Sequence, residues 1–355
     1  MVACTAHEGT TWDRIHFVRR HEWGWAAIVV MLCAGCRPST VADAEAKGDV
    51  AWLDAKGTPE ALAALGRLAD KNPKAVVAIE SRMAYDPTAY ALAWSATVRG
   101  AAWGTTTLKK ALGDPSRAEA AAAAMSRKDP HLAQFVTELE GALVRLAASQ
   151  QNAAVATGLA SVGAPAKDAV ERRLADGSTR GAMCRGISST DASGEARKSL
   201  TLVSPASRDN GYCVDAVIKI ASEDDDLLAW LATSGEPGIV GAAGKNELMT
   251  CGRLHTLWGK ALAERAPEVY SALLVPLSNA LKRCPKELDG VLADAITRLP
   301  ATHFVVVGAI DAFGSYGGNL KATCAALPIV AANMKAPGVT RERARDALAH
   351  SCTMR

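Results

Sequence analysis

The stretch TPEALAALGRLADKNPKAVVAIESRMAYDP, residues 58–87, decides the fold. It holds three helix-start signals at a spacing of 14: Thr58-Pro59, Asn72-Pro73 and Asp86-Pro87. In each pair a side-chain oxygen can accept from orphan backbone amides, while proline supplies the fixed φ of a first helical turn. Fourteen residues hold one short helix and a turn. The same signal returns at Asp114-Pro115 and Asp129-Pro130, 28 and 15 residues further on. Pro165, Pro205, Pro237 and Pro267 then follow at intervals of 30 to 40 residues.

Between these markers the apolar pattern is helical. Leu132, Phe135, Val136, Leu139, Leu143 and Leu146 keep to one helical face, as do Leu288, Val291, Leu292, Ile296 and Leu299. Composition agrees: 49% of residues are hydrophobic but only 5% aromatic, so Ala, Leu and Val carry the apolar content. Ala and Leu are strong helix formers. Many short helices, each apolar on one side, must bury that side against the next pair. The expectation is an all-α chain, an α-solenoid of antiparallel helix pairs. Phe304-Val305-Val306-Val307 also reads as a buried strand, although Ile310 and Phe313 continue a helical face; Pro276 and Pro328 should kink the helices that contain them.

The segment from Gly158 through Pro165, Leu174-Ala175-Asp176 and Thr179-Arg180-Gly181-Ala182 resembles a HEAT-like repeat of the short, bacterial type. Such repeats run from an apolar-Gly-Pro turn through a helix ending in Leu and an acidic turn to an Arg-Ala opening of the second helix. Leu108 to Pro115 fits the middle of that pattern, with Glu119 and Ala120 where the Arg-Ala pair would stand. The likeness covers residues 58–190 and is architectural beyond. It implies a fold, not an activity.

The N-terminus points to export. Arg19 and Arg20 precede the uncharged run WGWAAIVVMLCAGC, residues 23–36, which is 14 residues long. A bilayer-crossing helix needs about 20, so the run has the build of a secretory signal. Ala34-Gly35-Cys36, followed by polar Arg37, resembles a bacterial lipobox, although Cys33 stands where Leu is usual. The resemblance implies cleavage before Cys36 and attachment of acyl chains such as palmitate to it. Residues 1–35 are then a signal peptide, with translation expected to begin near Val18. Residues 36–57 are read as a tether, 58–176 as Ala-rich repeats and 177–355 as a second, stapled set, with the division near Gly177.

Six cysteines, Cys184, Cys213, Cys251, Cys284, Cys324 and Cys352, all fall after that division. An even set in an exported chain suggests disulfides; six separate buried thiols are the competing account. Successive gaps of 29, 38, 33, 40 and 28 residues each approximate one repeat. Each repeat touches only its neighbours, and helices of one layer lie about 8–10 Å apart. The expected pairs are therefore Cys184–Cys213, Cys251–Cys284 and Cys324–Cys352.

Candidate chemistry is thin. Cys251 and His255 lie four apart, half a zinc site, with no second half in view. Residues 238–246, GIVGAAGKN, depart from a phosphate-binding loop at Ile239 and Asn246 and read as a flexible turn between helices. Glu223 to Asp226 read as acids opening a helix rather than a calcium site. Net charge is +3 and balanced in both halves, so no basic face invites nucleic acid. No catalytic motif, cofactor or metal site is expected. The expectation is a lipid-anchored binding or scaffold protein of the cell envelope, holding a protein partner; Arg37 after the anchor favours the outer membrane in a two-membrane host. The alternative is an enzyme or enzyme accessory whose site is assembled from dispersed residues. Exposed aromatics such as Trp94, Trp103, Trp230 and Trp258 would mark a partner surface, and a pocket around His255 the alternative.

Overall fold

The computed structural model describes residues 38–149, 151–203, 211–234, 237–264 and 270–352. Cys36 and the expected signal at 1–35 lie outside them. Among the described residues the chain forms 21 α-helices, three short 3-10 turns and no strand. It is an all-α chain of stacked helix pairs, divided into two compact units, one up to Lys110 and one from Ala111 onward.

The first unit contains α1 (Val41–Lys47), α2 (Val50–Lys56), α3 (Pro59–Leu68), α4 (Pro73–Arg82) and α5 (Thr88–Val98), with α6 (Ala102–Gly113) at the division. Helices α1, α3 and α5 pack in one row, and α2 and α4 in a second. The start signals act as read. Thr58 Oγ1 accepts the Ala61 amide at 3.3 Å, and Asn72 Oδ1 the Lys74 amide at 3.0 Å. Asp86 and Asp114 accept amides two residues on and turn the chain shortly before a helix begins.

Within the stretch read as a tether, residues 41–56 form two helices. Thr40 and Asp49 cap α1 and α2. Gly48 (φ 67°) and Gly57 (φ 60°) end these helices in the left-handed conformation that glycine adopts without strain. Ala44 and Leu53 are fully buried. Seven residues make too few turns for an apolar stripe to be visible in sequence.

In the second unit, one row runs through α7 (Ala118–Ala124), α9 (Ala153–Ser161), α11 (Arg180–Ile187), α13 (Gly211–Ala221), α15 (Pro237–Lys245), α17 (Tyr270–Arg283), α19 (Phe304–Tyr316) and α21 (Gly338–Ser351). Each packs on the next in that row. The alternate helices are α8 (Val136–Arg145), α10 (Lys167–Ala175), α12 (Gly194–Lys198), α14 (Asp225–Ser234), α16 (Cys251–Glu264), α18 (Pro285–Arg298) and α20 (Lys321–Ala332). They form the second layer. Packing of a helix on the second one after it, which recurs within both units, is the signature of a solenoid. Gly177 lies in the turn between α10 and α11, which pack on each other within this unit. The change in character there marks where stapling begins, not a boundary between units. The Phe304 run is helix α19, and Pro328 lies inside α20.

Polar rungs tie each repeat to the next. In the first unit Arg67 reaches back to Glu45, and Arg99 and Trp103 to Asp70. In the second, Arg145 donates to the Leu112 carbonyl at 2.8 Å, Arg253 to the Ala221 carbonyl at 3.1 Å and Arg283 to the Asn246 carbonyl at 2.8 Å. These carbonyls are orphans of helix ends, where cationic side chains are favoured. The converse also occurs. Asn152 gives α9 no side-chain cap, and Glu119 instead accepts the Ala154 and Val155 amides at 2.7 and 3.3 Å. Within one pair, Arg180 donates to the Leu174 and Ala175 carbonyls at 2.7 and 2.8 Å, so the arginine opening α11 closes the end of α10.

Candidate functional site

The six cysteines of the described residues form three disulfides: Cys184–Cys213, Cys251–Cys284 and Cys324–Cys352, with Cα separations of 4.9, 5.4 and 5.6 Å. These are the pairs that repeat spacing gives. The first joins α11 to α13, neighbours in one row. The second joins the start of α16 to Cys284, the residue that opens α18, again one row. The third differs in kind. Cys324 is in the first turn of α20 and Cys352 caps the end of α21, the consecutive helix of the other layer. Consecutive helices run antiparallel, so the start of one meets the end of the next. Layer-to-layer pairing at 28 residues was not anticipated from equal heights along one row.

The other sequence candidates fall into structural roles. His255 is exposed on α16 while Cys251 is occupied in its disulfide. Among the described residues no three His, Cys, Asp or Glu side chains gather where a metal would sit. Residues 238–246 are not a flexible turn: most of them belong to α15. A Cβ on Gly244 would come within 2.6 Å of the Trp258 indole, so this glycine admits a fully buried tryptophan. The acids at 223–226 open α14, with Asp224 accepting the Leu227 amide at 3.0 Å. Trp94 and Trp258 are core residues and Trp230 is half-buried. Trp103 is half-buried with its indole N–H on Asp70 at 2.9 Å. The tryptophans therefore do not compose an exposed aromatic face.

Grooves indent the surface of both units. In the second unit, α19 and α21 flank a groove of about 580 Å³ lined by Asp311, Ser315, Arg343, Asp346, His350 and Ser351 among others. Arg343 pairs with Asp311 at 2.7 Å across it. His350 Nδ1 lies 2.8 Å from the Asp346 carbonyl, which fixes that nitrogen as the N–H donor and turns Nε2 away from its own helix turn. The groove offers both charge signs and hydrogen-bonding groups but no nucleophile paired with a base.

In the first unit, α1, α2 and α3 enclose a groove of about 660 Å³. Trp52 and Lys56 of α2 line it, with the lysine ammonium 5.8 Å from the indole centroid. Arg67 of α3 forms a two-pronged bond with Glu45 of α1, both at 2.7 Å. That bond, ahead of the opposing desolvation, holds the Glu45 carboxyl below its ordinary range and raises the guanidinium's affinity for its proton. Ser39 and Thr40, the residues leading into α1, also line the groove. Sequence reasoning missed this place because it read the segment as tether.

No protein-family model matches the chain, and no curated protein matches it. Among solved structures, the crystal structure of an engineered protein aligns over 92% of this chain and 99% of its own, with 16% identity and a TM-score of 0.36.

Proposed function

We propose that this chain is exported, is held at a membrane by lipid on Cys36, and presents HEAT-like stacked helices to a protein partner. The observation that carries the reading is the set of three disulfides, each joining neighbouring helices of the stack. Such bridges persist in oxidising compartments outside the cytoplasm, and the small-residue run ending at Cys36 gives the means of anchoring there. No helix among the described residues is long and apolar enough to cross a membrane. The architecture supports a partner-holding role: stacked helix pairs within each unit offer side-chain surface to a partner, and balanced charge favours protein over nucleic acid. Labelling with a fatty-acid analogue should tag the wild type and not Cys36→Ser. Crosslinking and pull-down from native membranes should then recover a defined protein with the wild type. Equal labelling of both chains would end the anchoring claim, and a recovered small-molecule turnover without any partner would end the scaffold claim.

A further inference from the structure

We propose that the groove of α1, α2 and α3 lies against the bilayer, with Trp52 and Lys56 seated among zwitterionic phospholipid headgroups; this rests on lipidation of Cys36. The reach of the chain sets the geometry. Thr40 caps α1, and Cys36 stands four residues before it. Four extended residues span at most about 14 Å, and Pro38 within them is already buried. With α1 and α2 folded into the first unit, no long linker separates the anchor from the repeats. Ser39 and Thr40 are part of the groove's lining, so the surface nearest the anchor is the groove itself.

The lining suits that neighbour. Tryptophan places an apolar ring and one N–H donor at the level where bilayers change from hydrocarbon to headgroup. Lys56, one turn on, is exposed and holds its ammonium over that ring, 5.8 Å from the centroid, where a long flexible stem lets it reach a headgroup phosphate. Val41, Ala42 and Ala63 add apolar lining. Arg67 and Glu45 neutralise each other, and Lys56 balances Glu60. The face therefore has no net charge with which to seek an anionic membrane. Lipid supplies attachment; the groove supplies orientation.

The test uses the mature, full-length chain on phosphatidylcholine vesicles brominated near the headgroup. Trp52 should supply most of the quenchable tryptophan emission, so Trp52→Phe should lower the quenched fraction at least twofold. On the unmutated chain, acetylation of Lys56 relative to Lys286 should fall several-fold on vesicles against the same ratio in Cys36→Ser, a comparison that needs no change in the groove. A chain that carries the glyceride, floats with vesicles and shows neither effect overturns the apposition alone. A chain whose N-terminal peptide carries no glyceride overturns the anchoring reading, and this one with it.

Discussion

Asp289 caps a helix that is not its own: its carboxylate accepts the Thr323 amide at 2.8 Å and the Thr323 hydroxyl at 2.7 Å, 34 residues away. The Ala322 amide donates to its other oxygen at 2.8 Å. Leu320, at the N-cap of α20, has no side chain to do this, and Thr323 is fully buried. One acid thus satisfies the first turn of the next helix in its layer. Asp289→Ala should cost about 1–3 kcal/mol, the range for a lost cap combined with a stranded buried hydroxyl. Asp294→Ala, which removes only an exposed pair with Arg298, should change stability by under about 0.5 kcal/mol. Urea titration of both variants measures the difference, and equal effects would refute the capping role.

The disulfides should open in a fixed order. Cys184 and Cys213 are buried, at 0% and 3% exposure, whereas Cys324 and Cys352 are both half-buried. Access governs attack on a disulfide sulfur. Stepwise reduction with alkylation and peptide mapping should therefore show Cys324–Cys352 opening first and Cys184–Cys213 last. Each bridge closes a loop of about 30 residues, so full reduction of any one should remove on the order of 3 kcal/mol. Alkylation at Cys184 ahead of Cys352 would contradict the burial argument.

Gly186 marks the closest approach of α9 and α11. A Cβ there would lie 2.5 Å from the Ala156 carbonyl carbon and 2.9 Å from its Cβ. Backbone cannot swing aside as a side chain can, so Gly186→Ala should cost about 1–3 kcal/mol. Gly290, in the interior of α18, faces open space, and Gly290→Ala should gain about 0.4–1 kcal/mol by restricting the unfolded chain. Thermal melts of the two variants should move in opposite directions.

Acid should weaken the rung between α8 and α10. Hydrogen bonding from Arg172, opposed by desolvation and helped by the charges of Arg172 and Arg173, holds the Glu140 carboxyl below its ordinary range. A carboxyl lowered on folding stabilises the fold above its unfolded pKa, and that contribution fades as pH falls through the folded one. Glu140→Gln should therefore cost about 1 kcal/mol at neutral pH, allowing for solvent screening. The gap from wild type should close in acid. A gap that stays constant between pH 7 and pH 2.5 would show that charge plays no part.

The fold was legible wherever its signal was local. Thr58 and Asn72 announce helices because cap and proline stand side by side, and Leu139 and Leu143 because one helix carries both. The cysteine pairs were legible because one repeat separates their members, although Cys324–Cys352 crosses between layers. What stayed hidden depends on distant partners. Glu119 and Asp289 look like ordinary surface acids until the amides of Ala154 and Thr323 are brought beside them. Gly244 looks like part of a loop until Trp258 fills the space above it. Helices α1 and α2 show no stripe because each spans barely two turns, and with them went the groove at Trp52.

Every disulfide joins a cysteine to the next one along the sequence. If the chain is exported as proposed, through a channel with its N-terminus leading, Cys184 and then Cys213 emerge before Cys251, and so on to Cys352. An oxidant that links each newcomer to the last free thiol makes the native set outright. No wrong bond has to be undone, and no isomerase is called for. The pairing that staples the finished stack is also the one that assembly in order of arrival produces.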